Sequence, residues 1–117
     1  PMARRDDNEV ILSCVPVRKA GHETTDDGKV VVLQPRFDWR PLQAWMERMG
    51  RPHFRVKLDE VGSFIWTRCD GETEGGAIAV ALEAQFGERV APARQRTALF
   101  FRNMVRAGIV ELRRPAV

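Results

Sequence analysis

Apolar positions alternate or recur every three to four residues in separate stretches of the chain, and the stretches predict discrete elements. From His53 to Leu58, Phe54, Val56 and Leu58 alternate with His53, Arg55 and Lys57, the period of a strand with one buried face. Val10–Lys19 is rich in β-branched residues and reads as a strand, with Pro16 marking an edge or a bulge because it has no N–H to donate. Val30–Leu33 reads as another. The K-A-G-H-E-T-T-D-D-G-K stretch between them carries the hairpin signal Asp27-Gly28 in a loop longer than a tight hairpin needs. These segments predict an N-terminal three-stranded antiparallel sheet.

Helical spacing takes over elsewhere. Trp39, Leu42, Trp45, Met46 and Met49 form one stripe over Asp38–Gly50, a short inserted amphipathic helix capped by Asp38 and stopped by Gly50. It fits a lid over the sheet, a docking helix or a helix lying on a membrane surface. Asp59 is placed to cap a first main helix carrying Val61, Phe64, Ile65 and Trp66, with Gly71 of Asp70-Gly71 expected as its stop. A second helix, from about Glu74 to Phe86, is apolar nearly all round and belongs in the middle of a domain. Gly75-Gly76 in its first turn should cost up to ~1 kcal/mol each relative to alanine.

Pro92 opens a third helix that runs to Ala107, with Gly108 as its stop. Thr97, Phe100, Phe101, Met104 and Val105 are spaced to face inward, and Leu99, Arg102, Asn103 and Arg106 line another face. Ile109–Leu112 is a short terminal strand. The expected organisation is a disordered N-terminus over 1–9, with Pro1 ahead of Met2 as a tag remnant, a single domain over 10–113, and a frayed tail over 114–117.

Composition narrows the function classes. A chain of 117 residues is of single-domain length and should bury roughly 65% of its surface. Its longest apolar run, Ala77–Leu82, falls far short of the ~18 residues of a membrane span, and no secretory pattern opens the chain. The two cysteines, Cys14 and Cys69, fit buried thiols in a reducing cytoplasm. Two histidines, no nucleophile elbow, no phosphate-cradling loop and no paired-histidine motif argue against an enzyme, a cofactor or a metal site. His22 beside Glu23, Asp26 and Asp27 reads as a polar loop. A net charge of +3 permits an acidic peptide or a nucleic acid and selects neither.

Several words along the second half are those of a known family. Leu58-Asp59-Glu60-Val61-Gly62, Ile65-Trp66, Asp70-Gly71, the Ile78/Leu82/Phe86-Gly87 spacing, and Phe100-Phe101 before Met104 and Gly108-Ile109 resemble the PqqD family. Its members are peptide-binding chaperones, also called RiPP recognition elements. The resemblance implies an α+β winged helix-turn-helix domain with three main helices. It also implies a non-catalytic function: the leader segment of a ribosomally made precursor peptide adds a strand to the sheet and is presented to a modifying enzyme, in this family often a radical-SAM maturase. Carried onto this sequence, the strand side is Phe54, Arg55, Val56 and Lys57, and the helix side is Leu99, Arg102, Asn103 and Arg106.

Those residue types suit the task. A strand edge offers unpaired backbone groups, Leu99 an apolar contact, and Arg102 and Arg106 forks for carboxylates. Two other classes compete. A winged helix also reads DNA, and Arg94, Gln95, Arg96, Arg102, Asn103 and Arg106 include base-reading types; the modest charge and the lack of a basic wing weigh against nucleic acid. Self-association into a homodimer, through the Trp/Met stripe or the strand edge, is compatible with peptide binding.

Overall fold

The structure, a computed structural model, describes residues 2–35, 48 and 53–115. The chain opens with helix α1 (Met2–Ser13), where a disordered tail running into a strand was expected. Val10 and Ile11 favour a strand, but that preference spans only ~1 kcal/mol and depends on context; burial of Leu12, 1% exposed, in the cluster with Ile65, Ile78, Leu82 and Phe101 outweighs it. What remains of the expected first strand is β1 (Val15–Arg18). It does not join the three-stranded sheet. It pairs antiparallel with the terminal strand β5 (Val110–Arg113), Pro16 opposite Leu112.

The three-stranded sheet is made of β2 (Gly21–Thr24), β3 (Val30–Pro35) and β4 (His53–Lys57), in that order and antiparallel throughout. Its first strand comes from the stretch expected to be loop, so His22 and Glu23 are strand residues. The Asp27-Gly28 turn forms as its sequence requires: Gly28 takes φ 81° and its N–H donates to Thr25 O at 2.9 Å, while Thr25 N–H donates to Lys29 O at 2.8 Å. Of the helix expected over Asp38–Gly50, only Arg48 lies among the described residues.

Helices α2 (Glu60–Thr67), α3 (Gly75–Phe86) and α4 (Ala93–Arg106) follow, with a 3₁₀ turn at Gly87–Val90 between the last two. The described residues thus form a mixed α+β domain of four helices and two small antiparallel sheets. Asp59 caps α2, its Oδ1 accepting from Gly62 N–H at 2.7 Å. At the other end Arg68, not Gly71, is the C-cap residue, and Arg18 Nη1 donates to the carbonyls of Trp66 (3.2 Å) and Thr67 (3.0 Å). Gly71 (φ 80°) instead serves the turn after Asp70, whose Oδ1 accepts from the N–H groups of Glu72 and Thr73 at 2.9 and 2.8 Å.

Two apolar clusters meet at α2. Ile65 faces the helical cluster with Leu12, Ile78, Leu82, Phe86 and Phe101, while Trp66 faces the sheet cluster with Val30, Val32, Leu58, Ile109 and Val110. Phe100 and Leu112 touch both and join them. Two expectations about the helices change. Helix α3 buries one side only, leaving Val80 66% exposed, and on α4 Ala98 is buried while Val105 is exposed. Helix α1 packs across α3 and α4 on other faces, and Val80 and Val105 lie outside both apolar clusters.

A candidate peptide-binding edge

Strand β4 lies at one side of its sheet; among the described residues it pairs only with β3. The hydrogen bonds fix which of its backbone groups are used. Leu58 N–H donates to Val30 O at 2.8 Å, and Val56 faces Val32 two residues earlier in the ladder. Successive residues of a strand point their N–H and C=O groups to opposite sides. Those of Arg55 and Lys57 therefore point away from β3, to the side where no other described strand lies.

The ladder is completed at one end by a side chain. Val30 N–H donates to Ser63 Oγ at 2.9 Å, and that hydroxyl donates to Leu58 O at 3.4 Å. Ser63 is buried. Helix α2 is thus hydrogen-bonded into the seam between β3 and β4, and this holds the edge strand in place.

Side chains alternate across the two faces of β4. Val56 packs inward against the buried cluster of Val30, Val32, Leu58, Trp66, Ile109 and Val110, against which Phe100 and Met104 of α4 also pack. Arg55 and Lys57 are exposed on the outer face, where both meet acids from β2 and its turn. Arg55 Nη2 binds Glu23 Oε2 at 2.7 Å, and Lys57 Nζ lies 3.9 Å from Asp27 Oδ2. The hydrogen bond from Arg55 holds the Glu23 carboxyl below the usual range and raises Arg55 in turn. Asp27 is also lowered, first by the Thr25 hydroxyl and then by Lys29 N–H.

The four helix residues singled out from sequence divide between two environments. Leu99, 55% exposed, and Asn103 are open to solvent, one helical step from Phe100 and Met104 that face the sheet. Arg102 turns toward α1, its Nη2 donating to Asn8 Oδ1 at 3.2 Å. Arg102 and Arg106 line a shallow depression with Asp7, Val10 and Ile11. Arg94, farther up α4, is paired with Glu9 at 2.7 Å. The strand residues, Phe54, Arg55, Val56 and Lys57, all fall within β4. Sequence reasoning missed α1 altogether; the available signal was Ile11-Leu12 behind the polar run Asp6-Asp7-Asn8-Glu9, which suits the basic flank of α4.

Burial pushes the Cys69 thiol up to about 12, so it stays protonated at neutral pH. Among the described residues no group of three or more His, Cys, Asp or Glu side chains converges on a cation site. None of the described helices is long and apolar enough to cross a membrane.

The described residues form a small mixed α+β fold in which the side of β4 away from β3 meets no other described strand. The chain belongs to the PqqD family, since the family model for coenzyme PQQ synthesis protein D matches residues 51–110. That match takes in β4 and α4 together and stops short of α1, β1, β2 and β3. No curated protein and no solved structure matches the chain.

Proposed function

We propose that this protein is a non-catalytic, cytoplasmic peptide chaperone that captures the leader segment of a ribosomally synthesised precursor peptide and presents it to a modifying enzyme. A radical-SAM maturase is the partner class that family membership favours. The observation that carries the reading is the open edge of β4, where the N–H and C=O groups of Arg55 and Lys57 have no strand to pair with among the described residues. An extended peptide would pair there, each main-chain bond contributing about 0.5–1.5 kcal/mol net.

In this reading Phe54, Arg55, Val56 and Lys57 form the strand side and Leu99, Arg102, Asn103 and Arg106 the helix side, with α2, α3, α4 and β5 as the winged-helix unit. Leu99 and Asn103 are the helix residues best exposed to an incoming strand, and Arg102 and Arg106 would act at its far margin beside α1. The DNA-binding alternative is weakened by α1 itself, which lies along the would-be reading helix and engages Arg94 and Arg102.

The test follows residue parity. Amide hydrogen exchange is measured with and without a precursor peptide from the same genomic neighbourhood. Binding by strand addition protects the Arg55 and Lys57 amides and changes Val56 little, because Val56 already faces β3. Uniform protection of the strand, or protection confined to α4, would reject this mode.

A further inference from the structure

We infer that Arg55 and Lys57 select an incoming strand carrying acidic residues at alternate positions, and that Glu23 and Asp27 are built-in competitors that set how strongly they do so. This inference rests on the strand-addition reading and specifies its ligand. Residues opposite each other in adjacent strands place their side chains on the same face, with Cβ atoms about 4.5–5.5 Å apart. A strand laid along the open edge of β4 would therefore set two residues, spaced i and i+2, beside Arg55 and Lys57 on the outer face. The residue between them would point inward beside Val56, on the face of the sheet that covers Val30, Val32 and Trp66. The matching pattern is acidic–apolar–acidic, and it holds for either strand direction because the side-chain period is two.

The two cations are not idle before the peptide arrives. On the β3 side their directly paired neighbours are Leu33 and Val31, which are apolar, so their counter-charges come from β2 and its turn, reaching across β3. Glu23 holds Arg55 at 2.7 Å, and Asp27 approaches Lys57 at 3.9 Å while also serving Lys29. An acidic residue on the added strand would be an immediate neighbour and would draw the guanidinium away from Glu23. Binding then exchanges one exposed ion pair for another. Removing the native acid should strengthen binding of an acidic strand, the reverse of what loss of an ordinary contact does.

Three labelled synthetic peptides test this by fluorescence anisotropy at low salt. They share one alternating apolar pattern and carry Glu, Gln or Lys at the two intervening positions. The expected order of affinity is Glu, then Gln, then Lys. Arg55→Gln should weaken the Glu peptide by about two- to five-fold, the range that exposed ion pairs allow, and the Gln peptide by less. Glu23→Gln should tighten the Glu peptide by a similar factor, and the Gln peptide again by less. Both side chains are exposed, and circular dichroism checks that each variant remains folded. Equal binding of the three peptides, or a Glu23→Gln variant that weakens the Glu peptide, overturns the selectivity while leaving strand addition standing. Failure of all three to bind overturns strand addition itself and the selectivity with it.

Discussion

The hydroxyl of Ser63 stands where the seam between β3 and β4 would otherwise lose a rung. Val30 is 1% exposed, so its N–H has no water to turn to, and Ser63 Oγ accepts from it while donating to Leu58 O. Ser63→Ala removes the acceptor and leaves a buried amide unpaired, a loss of about 1–3 kcal/mol. Urea unfolding should show a lower midpoint with an unchanged slope, the signature of lost stability without a change in compactness. An unchanged midpoint would mean that Val30 N–H is satisfied by another group. The sequence could not announce this serine, because its role depends on a residue 33 positions away. Arg55 and Lys57 were legible by contrast, since strict alternation from His53 to Leu58 assigns each side chain a face. Their pairing with Glu23 and Asp27 was not, because β2 carries too few apolar residues to reveal itself as a strand.

Helices α1 and α3 touch at a glycine, and the contact separates two residues that look alike in the sequence. A Cβ on Gly75 would lie 3.1 Å from Leu12 Cα, 3.2 Å from Leu12 O and 3.1 Å from Phe101 Cε2, closer than side chains normally approach. The backbone of α1 cannot yield without disturbing Leu12 in the core, and Gly75 N–H also donates to Cys14 O at 2.9 Å. A Cβ on Gly76 would meet nothing nearer than 3.6 Å. Gly75→Ala should therefore destabilise by about 1–3 kcal/mol despite the better helix former, an overpacking penalty. Gly76→Ala should stabilise by up to ~1 kcal/mol. Thermal melts of the two variants check the pair, and a Gly75→Ala variant as stable as Gly76→Ala would mean that α1 is not held against α3. Propensity gives both glycines the same expected cost; only the position of α1 tells them apart. The exposure of Val80 and Val105 was likewise beyond spacing alone, because which face of a helix is covered depends on its distant neighbours, whereas α2, α4, the Asp59 cap and the Asp27-Gly28 turn follow from local signals alone.

At the scale of the molecule, carboxylates hold strand pairs and a turn in place, and this gives stability a definite dependence on pH. Glu23 joins β2 to β4 through Arg55, Asp70 holds the turn into α3, and Glu111 of β5 binds Arg113 and Lys19. Each is held below its ordinary value: Glu23 chiefly by the hydrogen bond from Arg55, Asp70 by the N–H of Glu72, and Glu111 by the hydrogen bond from Arg113. A carboxylate whose pKa is depressed in the folded state contributes stability that is complete above its unfolded value. The ordinary values are 4.5 for Glu and 3.8 for Asp, and the contribution is lost as pH falls through the lower folded ones. The melting temperature should be nearly flat from about pH 7 to about pH 5 and fall below roughly pH 4.5. Exposure keeps each ion pair's share small, and salt shrinks it further over a Debye length of about 10 Å at 0.1 M. The Asp70 share is different, because it comes from short hydrogen bonds to backbone N–H groups that salt screens little. Raising the salt should therefore shallow the acid slope without abolishing it. Asp70→Asn, which keeps a side-chain oxygen for the two amides but cannot titrate, should remove part of the slope that persists in high salt. If the slope in high salt is the same in that variant, the acid sensitivity does not come from the turn that leads into α3.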